Sequence, residues 1–511
     1  MKHPNKISWI PLALAATLIG KLALPAQDWQ TVDDFALGGG NAEAHGVATD
    51  AAGGVYVVGT ANGHGIVRYS ADDGSNWITR DDFVYPSETN NLFNAVTVDS
   101  QGSVFVGGAG GGHWIVRRST DQGLTWETVD DYYRPFHAPD EPGTNGVVYS
   151  LSSDGQGRVY GAGPLILTHC PCYNNWWVRG SSIGGRNWDT KLVLFSGYGE
   201  IAQATCAGED VYVTGTTSDS ITTIRLILRS SDHGGTWSTV FQATNDVHNA
   251  STADLAGNLY FAGASWSSNS IVWLVRRAAR GGTKWTTLDG SSYTEEPPVT
   301  EGQPYGAYIA VDSIAVDAAG NVAVTGTFIV YWVVSCGPNC TSYGANESWV
   351  TGQYSAATGQ WSTTDQFSYS TNMQGSASGI AIAPSGSVFT VGYGTSDSGQ
   401  RRWVVRKRAA PSPIAQARAL EQEVNDLLAR SAIAREPGRV LLVILDRIVA
   451  GMEQGESASV CSGLRAFSKK VQEFVKHGTL SEGDGQLLMN GAENLRQVLG
   501  CPERQKEKGQ P

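Results

Sequence analysis

A short stretch of alternating apolar residues that ends in glycine recurs seven times along this chain, and this recurrence constrains the fold more than any other feature. The seven glycines are Gly59, Gly108, Gly163, Gly215, Gly263, Gly326 and Gly392. The copies lie roughly 50 to 65 residues apart, which leaves room in each for four short strands. In five copies an Asp-x-x-Gly sequence precedes the stretch, as suits a tight hairpin turn; these begin at Asp50, Asp99, Asp154, Asp254 and Asp317. With 62 Gly and only 16% charged residues, the composition also favours many strands joined by turns.

The order of the strands predicts how the repeats close on themselves. A tryptophan introduces the fourth strand in only six copies, at Trp77, Trp126, Trp188, Trp237, Trp285 and Trp361. The seventh copy stops at its third strand, 403–408, whereas the segment from Asp28 to Phe35 matches the segment from Thr125 to Tyr132. We therefore expect the N-terminal strand to complete the last sheet, which leaves no open edge in the ring. The sequence predicts an all-β, seven-bladed β-propeller over residues 27–408, followed by a small α-helical domain.

Three copies carry an unbroken Ser-x-Asp-x-Gly-x-x-Trp motif at the turn between the third and fourth strands. Its residues are Ser70, Asp72, Gly74 and Trp77; Ser119, Asp121, Gly123 and Trp126; and Ser230, Asp232, Gly234 and Trp237. In such a turn the Ser and Asp side chains bond backbone groups, Gly adopts a positive φ and Trp packs beneath. The motif resembles the Asp-box (BNR) repeat of sialidases, sortilin-type receptors and related secreted propellers. Because that repeat lies opposite the active site in those families, the resemblance implies a structural role for these residues.

The resemblance covers the scaffold and not the catalytic residues of sialidases. An arginine recurs at one strand position, at Arg68, Arg117, Arg179, Arg276 and Arg406. Its recurrence in the repeat predicts a structural residue with a packed stem and a solvated head, rather than part of the arginine trio that holds a sialidase substrate. The family's Arg-Ile-Pro motif is absent, and its Tyr/Glu nucleophile pair has no recognisable counterpart.

The channel mouth opposite the Asp boxes is where we expect a ligand, because its loops are rich in aromatic and polar residues. Candidate binding residues are His45, His64, His113, Tyr132, Tyr133, Trp176, His248 and Trp266. Rings beside polar groups are typical of sugar recognition, although Trp349 is expected to pack between blades. A glycosidase would need two carboxyl groups about 5 to 10 Å apart. The weak catalytic candidates are Glu200, Asp312 and Arg134.

After Arg408 the repeat stops and helical periodicity begins. We predict a linker over 409–420, a helical bundle over 421–502 and a disordered tail over 503–511. Cys461 and Cys501 fall at the same end of a predicted helical hairpin, which favours a disulfide between them. The region resembles the FIMAH-type module of secreted bacterial proteins. Pairing among the other cysteines stays open: Cys170, Cys172, Cys206, Cys336 and Cys340.

The N-terminus and the net charge bound the location and the partners. Lys2 and Lys6 precede an apolar stretch, 7–20, and then Pro25-Ala26, which is typical of a signal peptide over 1–26. Lys21 ends that stretch too early for a membrane span, so a secreted or periplasmic protein is predicted. A net charge of −12 argues against nucleic acid as a partner. No His pair lies at zinc-site spacing beside the cysteines, and neither a metal nor a cofactor is expected.

These observations favour a binding protein that recognises a glycan or a protein at the channel mouth. An exo-acting glycoside hydrolase of sialidase-like type is the alternative, and an assembly or stability factor is a weaker one. Whether the chain is an enzyme stays open, because a shared fold does not carry its chemistry.

Overall fold

The computed structural model describes most of the repeat region and the helical region. The described residues are 29–86, 88–133, 144–167, 174–195, 197, 199, 201–218, 222–244, 246–267, 270–288, 292–293, 304–335, 341–356, 359–370 and 374–501. The predicted signal peptide and tail, the candidates Arg134 and Glu200, and four cysteines (Cys170, Cys172, Cys336 and Cys340) lie outside the described residues.

Within these residues the strands form seven antiparallel sheets, each a blade of a β-propeller. Strand β1 is Gln30–Phe35. Blade 1 contains β2 (Ala42–Thr49), β3 (Val55–Ala61), β4 (His64–Ser70) and β5 (Ile78–Phe83); blade 2 contains β6 (Asn91–Val98), β7 (Val104–Gly110), β8 (His113–Ser119) and β9 (Glu127–Tyr132). Blade 3 contains β10 (Thr144–Gly146), β11 (Ser150–Ser153), β12 (Val159–Leu167), β13 (Asn174–Gly180) and β14 (Asp189–Phe195). Blade 4 contains β15 (Ile201–Ala207), β16 (Asp210–Ser218), β17 (Thr223–Ser230) and β18 (Ser238–Thr244).

The remaining blades follow the same plan. Blade 5 contains β19 (Asp246–Ala253), β20 (Leu259–Ser267), β21 (Ser270–Ala278), β22 (Thr286–Leu288) and β23 (Ser292–Tyr293); blade 6 contains β24 (Pro304–Val316), β25 (Val322–Ser335), β26 (Thr341–Ser355) and β27 (Gln360–Phe367). Blade 7 contains β28 (Gly375–Ile382), β29 (Val388–Thr395) and β30 (Arg401–Arg408). An interruption divides the first strand of blade 3 into β10 and β11, and the last strand of blade 5 into β22 and β23.

The first strands of the blades form a closed inner ring. In the order β2, β6, β11, β15, β19, β24 and β28 each contacts the next, and β28 contacts β2. Strand β1 pairs antiparallel with β30, for example Asp34 with Val404, and so completes blade 7. The predicted seven-bladed propeller, closed by its N-terminal strand, is confirmed.

The recurring glycine exists because the inner strand approaches the second strand closely at that point. A Cβ atom at Gly59 would collide with the carbonyl oxygen of Glu43, and one at Gly108 with that of Leu92. On either side of this glycine the second strand is covered on both faces by neighbouring blades, so every residue of β7 is buried. This two-sided burial explains why the stretch is apolar at consecutive positions rather than at every second one.

Side-chain hydrogen bonds hold the three complete Asp-box turns. Ser70 Oγ accepts from the Gly74 amide at 2.9 Å and donates to Asp72 at 2.8 Å, while Asp72 accepts from the Asn76 amide at 2.8 Å. Trp77 Nε1 donates to the Gly74 carbonyl at 3.1 Å. The turns at Asp121 and Asp232 repeat the Ser and Asp bonds. Hydrogen bonds from the residue four positions on lower the pKa of all three aspartates to about 2.

The predicted solvated heads of the recurring arginines are wrong for four of the five, whose guanidinium groups lie buried between blades. In four copies the guanidinium donates two hydrogen bonds to a carboxylate on the outer strand of the preceding blade, in the pairs Arg68–Asp33, Arg117–Asp81, Arg179–Asp130 and Arg406–Asp365. The same guanidinium stacks on the aromatic ring two residues after the aspartate: Phe35, Phe83, Tyr132 or Phe367. We call these pairs inter-blade latches. Burial raises the pKa of Asp33, Asp81 and Asp130, and the facing guanidinium opposes that rise.

Four helices follow the propeller strands: α1 (Pro413–Ala429), α2 (Arg435–Glu453), α3 (Ser457–Lys476) and α4 (Glu482–Val498). Helix α1 begins inside the predicted linker 409–420, because Ser412 caps it by accepting from the Ala415 amide at 3.2 Å and Leu420 is buried in the helical core. The predicted Cys461–Cys501 disulfide is confirmed. Among the described helices, none has the length and apolar character needed to cross a bilayer.

Candidate functional site

The two faces of the propeller carry different turns. In an antiparallel blade the turn between strands one and two and the turn between strands three and four lie on one face, which here holds the Asp boxes. The hairpin between strands two and three and the entry to strand one lie on the other, which we call the mouth face. The mouth face therefore includes Asn62 in the β3–β4 hairpin and Asn41 at the start of β2.

A β-bulge or an interruption occurs at the same position of each inner strand. The pairing of β2 with β3 skips His45, that of β6 with β7 skips Asn94, and that of β24 with β25 skips Asp312. Ala202, Asn249 and Ser378 occupy the same position, and Tyr149 does so at the interruption of blade 3. We call these seven residues the bulge ring. His248 pairs with Gly263 and so precedes the bulge by one residue.

Two members of the bulge ring link neighbouring blades, and a third is a carboxyl group that has no cation beside it among the described residues. His45 Nδ1 lies 3.1 Å from the Phe93 carbonyl oxygen, and Asn94 Nδ2 donates to the Val148 carbonyl at 3.0 Å. Asp312 has exposed surface at its bulge, and Thr327 Oγ1 donates to it at 3.4 Å. The strands packed closely around this carboxyl group still reduce its hydration, and this desolvation raises the pKa of Asp312 to about 7.

A charged network at the mouth face joins blades 6, 7 and 1. Arg401 donates to Glu43 Oε1 at 2.7 Å, and its guanidinium lies 4.4 Å from the centre of the Tyr393 ring. Glu43 Oε2 is 3.9 Å from His45 Nε2. Neighbouring His45 and Arg401 lower the pKa of Glu43, whereas burial, with the nearby Glu347 carboxylate, raises the pKa of Tyr393. Of the mouth residues that the sequence singled out, only His45 belongs to this network.

Beside the network lies a polar cavity of about 510 Å³, which we call the mouth cavity. It is lined by Asn41, Glu43, Thr60, Asn62, Gly63, Thr89, Asn90, Asn91 and Leu92. Asn91 is committed to the fold, because its side chain accepts from the Tyr85 amide and donates to the Gly63 carbonyl. Asn62 and Asn90 line the cavity and are exposed.

The histidine candidates of the outer strands lie at another place on the mouth face. His64 Nδ1 is 2.6 Å from Asp82, and His113 Nδ1 is 2.5 Å from Asp131. His113 also stacks on Tyr133, with ring centres 4.6 Å apart, and Tyr85 packs on its other side. Because these pairs join third and fourth strands, they are separated from the bulge ring by the inner half of the blade.

Two of the candidate rings pack inside the propeller. Trp176 has no exposed surface and donates from Nε1 to the Thr216 carbonyl at 2.9 Å, so it cannot stack on a ligand and is removed from the candidate set. Tyr132 is half-buried under Arg179 and packs against Trp177. Trp266 lies in β20 opposite Ile271, and the description of Trp266 and His248 is limited to the backbone. Within the described residues no group of three or more His, Cys, Asp or Glu side chains is placed to hold a metal ion.

Comparison with known proteins finds similar solved structures but identifies no family. No family model and no curated protein matches the chain. The chain is similar to the structure of a catalytically inactive virginiamycin B lyase from Staphylococcus aureus with quinupristin, with 12% identity, a TM-score of 0.39, and coverage of 74% of this chain and 99% of that one. It is also similar to an ulvan lyase of a new polysaccharide lyase family, with 11% identity, a TM-score of 0.39, and coverage of 59% and 77%. A third such structure is the α-L-arabinofuranosidase of Fusarium graminearum with arabinobiose, with 12% identity, a TM-score of 0.37, and coverage of 62% and 92%. At these identities and TM-scores the likenesses carry no argument about activity.

Proposed function

We propose that this chain is an exported binding protein that recognises a glycan in the mouth cavity. The observation that supports the proposal is the lining of that cavity, which consists largely of asparagine and threonine residues with one glutamate. Amides supply both donors and acceptors, which is what the hydroxyl groups of a sugar require. A disulfide and the lack of a membrane-spanning helix among the described residues fit an extracellular protein.

A glycan array probed with the purified chain tests the proposal. We expect retention of a restricted set of glycans, and we expect Asn90→Ala to weaken it by about 2- to 10-fold, the range for one lost hydrogen bond. Asn425→Ala is the matched control, because this exposed asparagine lies in α1 and not in the cavity. An array without retained glycans, or equal losses in the two variants, would overturn the proposal and leave a protein ligand as the better candidate.

A glycoside hydrolase is the second candidate, and one specific observation favours it. Glu43 and Asp312 both lie on inner strands, and their surroundings move their pKa values in opposite directions, below the ordinary value for Glu43 and to about 7 for Asp312. A carboxylate that stays ionised and a carboxyl group that stays protonated are the two protonation states that a base and a general acid require. Mass spectrometry of the array eluates would detect a released monosaccharide. If a monosaccharide is released, and each of the substitutions Glu43→Gln and Asp312→Asn abolishes that release, the hydrolase would be established. Glycans that are retained without release would exclude hydrolysis of those glycans.

A further inference from the structure

We propose that the mouth cavity selects glycans that are neutral or carry amino groups and rejects acidic ones, with Glu43 as the specificity-determining residue. This inference rests on the proposed function, since it assigns a ligand class to the same cavity. It is opposite to what the resemblance to sialidases would suggest, because those enzymes act on an acidic sugar through arginines.

The first step of the argument is the charge inside the cavity. Glu43 is the one charged side chain among the residues that line it. Its side chain is 22% exposed, so it remains reachable from the cavity, and its neighbours hold its pKa below the ordinary value and keep it ionised. A ligand in the cavity therefore meets one carboxylate among neutral polar residues, namely Asn41, Asn62, Thr89 and Asn90.

The second step is that the adjacent cations are already matched by carboxylates. Arg401 bonds to Glu43 at 2.7 Å, and the Glu347 carboxylate lies near enough to raise the pKa of Arg401 further. Two carboxylates thus face one guanidinium. The next arginine along the chain, Arg402, bonds to Asp34 at 2.7 Å. An incoming carboxylate would have to displace one of these internal carboxylates to gain a cation, and would at the same time face Glu43.

The third step is the chemistry that an ionised carboxylate recognises. Hydroxyl and ammonium groups donate hydrogen bonds to it, and bonds to a charged acceptor are about twice as strong as neutral ones. A ligand carboxylate or sulfate has no donor to offer and adds a like charge, which disfavours binding in a partly desolvated site. An amino sugar should bind best, a neutral sugar next and an acidic sugar worst.

The experiment compares three probe sets on the full chain: glucosamine oligomers, neutral gluco-oligosaccharides, and uronate- or sialate-containing oligosaccharides. We expect affinities for the amino and acidic sets to differ by about tenfold or more at low salt, and the difference to shrink as salt is added. Glu43→Gln keeps an acceptor for Arg401 while removing the charge, and should bring the affinities for the two sets close together. Glu88→Gln is the matched control, because this exposed carboxylate of the mouth face does not line the cavity and its loss should leave the ratio unchanged.

The outcomes separate the inference from the function on which it rests. The inference would be overturned if acidic glycans bind as tightly as amino glycans, or if the ratio of the two affinities is unchanged in Glu43→Gln. In either case the proposal of a glycan-binding protein would stand. No binding of any set would overturn both. If Glu43→Gln does not fold, as judged by its thermal unfolding, Arg401→Gln takes its place. Loss of the counter-charge should then increase the preference for amino glycans, and an unchanged preference would contradict us.

Discussion

Asp130→Asn should destabilise the propeller far more than the same substitution at the next residue, Asp131. Asp130 in blade 2 accepts two hydrogen bonds of 2.7 Å from Arg179 in blade 3. The two side chains are only 6% and 7% exposed, so the pair is an inter-blade latch closed to solvent. Asparagine keeps the shape of the residue but leaves the guanidinium charge without a counter-ion.

The expected loss is about 3–5 kcal/mol, the cost of removing one partner from a buried ion pair. Because the entropy of unfolding grows with chain length, each kcal/mol lowers the melting temperature of a domain of this size by about 1–2 °C. We therefore expect Asp130→Asn to lower the melting temperature by about 3–10 °C. Tryptophan fluorescence can monitor the unfolding, because rings such as Trp114 and Trp176 are buried between blades.

Asp131→Asn is the internal control. Asp131 is 41% exposed and pairs with His113 at the surface, where an ion pair is worth about 1 kcal/mol or less. If both substitutions lower the melting temperature equally, the idea that the latches join the blades would be refuted, because any aspartate of the outer strand would then have the same effect. A second test replaces both partners, with Arg179→Met and Asp130→Leu. It should recover much of the loss, because an apolar pair of similar volume avoids the stranded charge.

Three further predictions concern titration and the helical region. The pKa of Asp121 is lowered to about 2 in the folded chain, so its contribution to stability is present above the pKa of the unfolded chain and is lost as pH falls through about 2. Asp121→Asn should therefore reduce the pH dependence of the melting temperature between about pH 4 and pH 2. Asp312 has the opposite sign: because its folded pKa of about 7 lies above the unfolded pKa of about 4, stability falls as pH rises from about 4 to about 7, and Asp312→Asn should remove this fall in thermal scans over that range. The Cys461–Cys501 disulfide joins residues 40 positions apart, and its reduction should lower the free energy of unfolding of the helical region by about 4 kcal/mol, measured by far-UV circular dichroism melts. Cys206→Ser should leave those melts unchanged.

The propeller and its closure could be predicted from the sequence because each repeat marks the same structural position with the same residue. The glycine that ends the second strand is required because the inner strand approaches it closely, as at Gly59. The segment before Phe35 resembles the fourth strands of the other blades, and it occupies the fourth position in blade 7. The latches could not be predicted from one repeat alone, because they join different blades. A signal was present nevertheless: an Asp and an aromatic residue two positions later recur at Asp33, Asp81, Asp130 and Asp365, one blade before four of the five recurring arginines.

The candidate site was harder to predict, for a related reason. Glu43 and Arg401 are 358 residues apart, and only the closure of the ring brings them within 2.7 Å. Trp176 was mistaken for a site residue although it occupies the same repeat position as Trp349, which the sequence assigned to packing between blades. Both tryptophans follow the start of the third strand and pair with the residue after the recurring glycine, and both have no exposed surface. Position in the repeat therefore predicted burial better than residue type did.

The pairing of β1 with β30 also dictates when the molecule can finish folding. Asp34 and Arg402, which meet across this seam, are 368 residues apart, so the first strand to be synthesised finds its partner only after the rest of the propeller exists. Until then blade 7 presents the unpaired edge of β30, and β1 has no sheet to join. Contacts of such long range slow folding and lengthen the period in which a bare edge can pair with another chain. When chaperones are scarce during synthesis, we therefore expect aggregation to begin at the unpaired edge of blade 7.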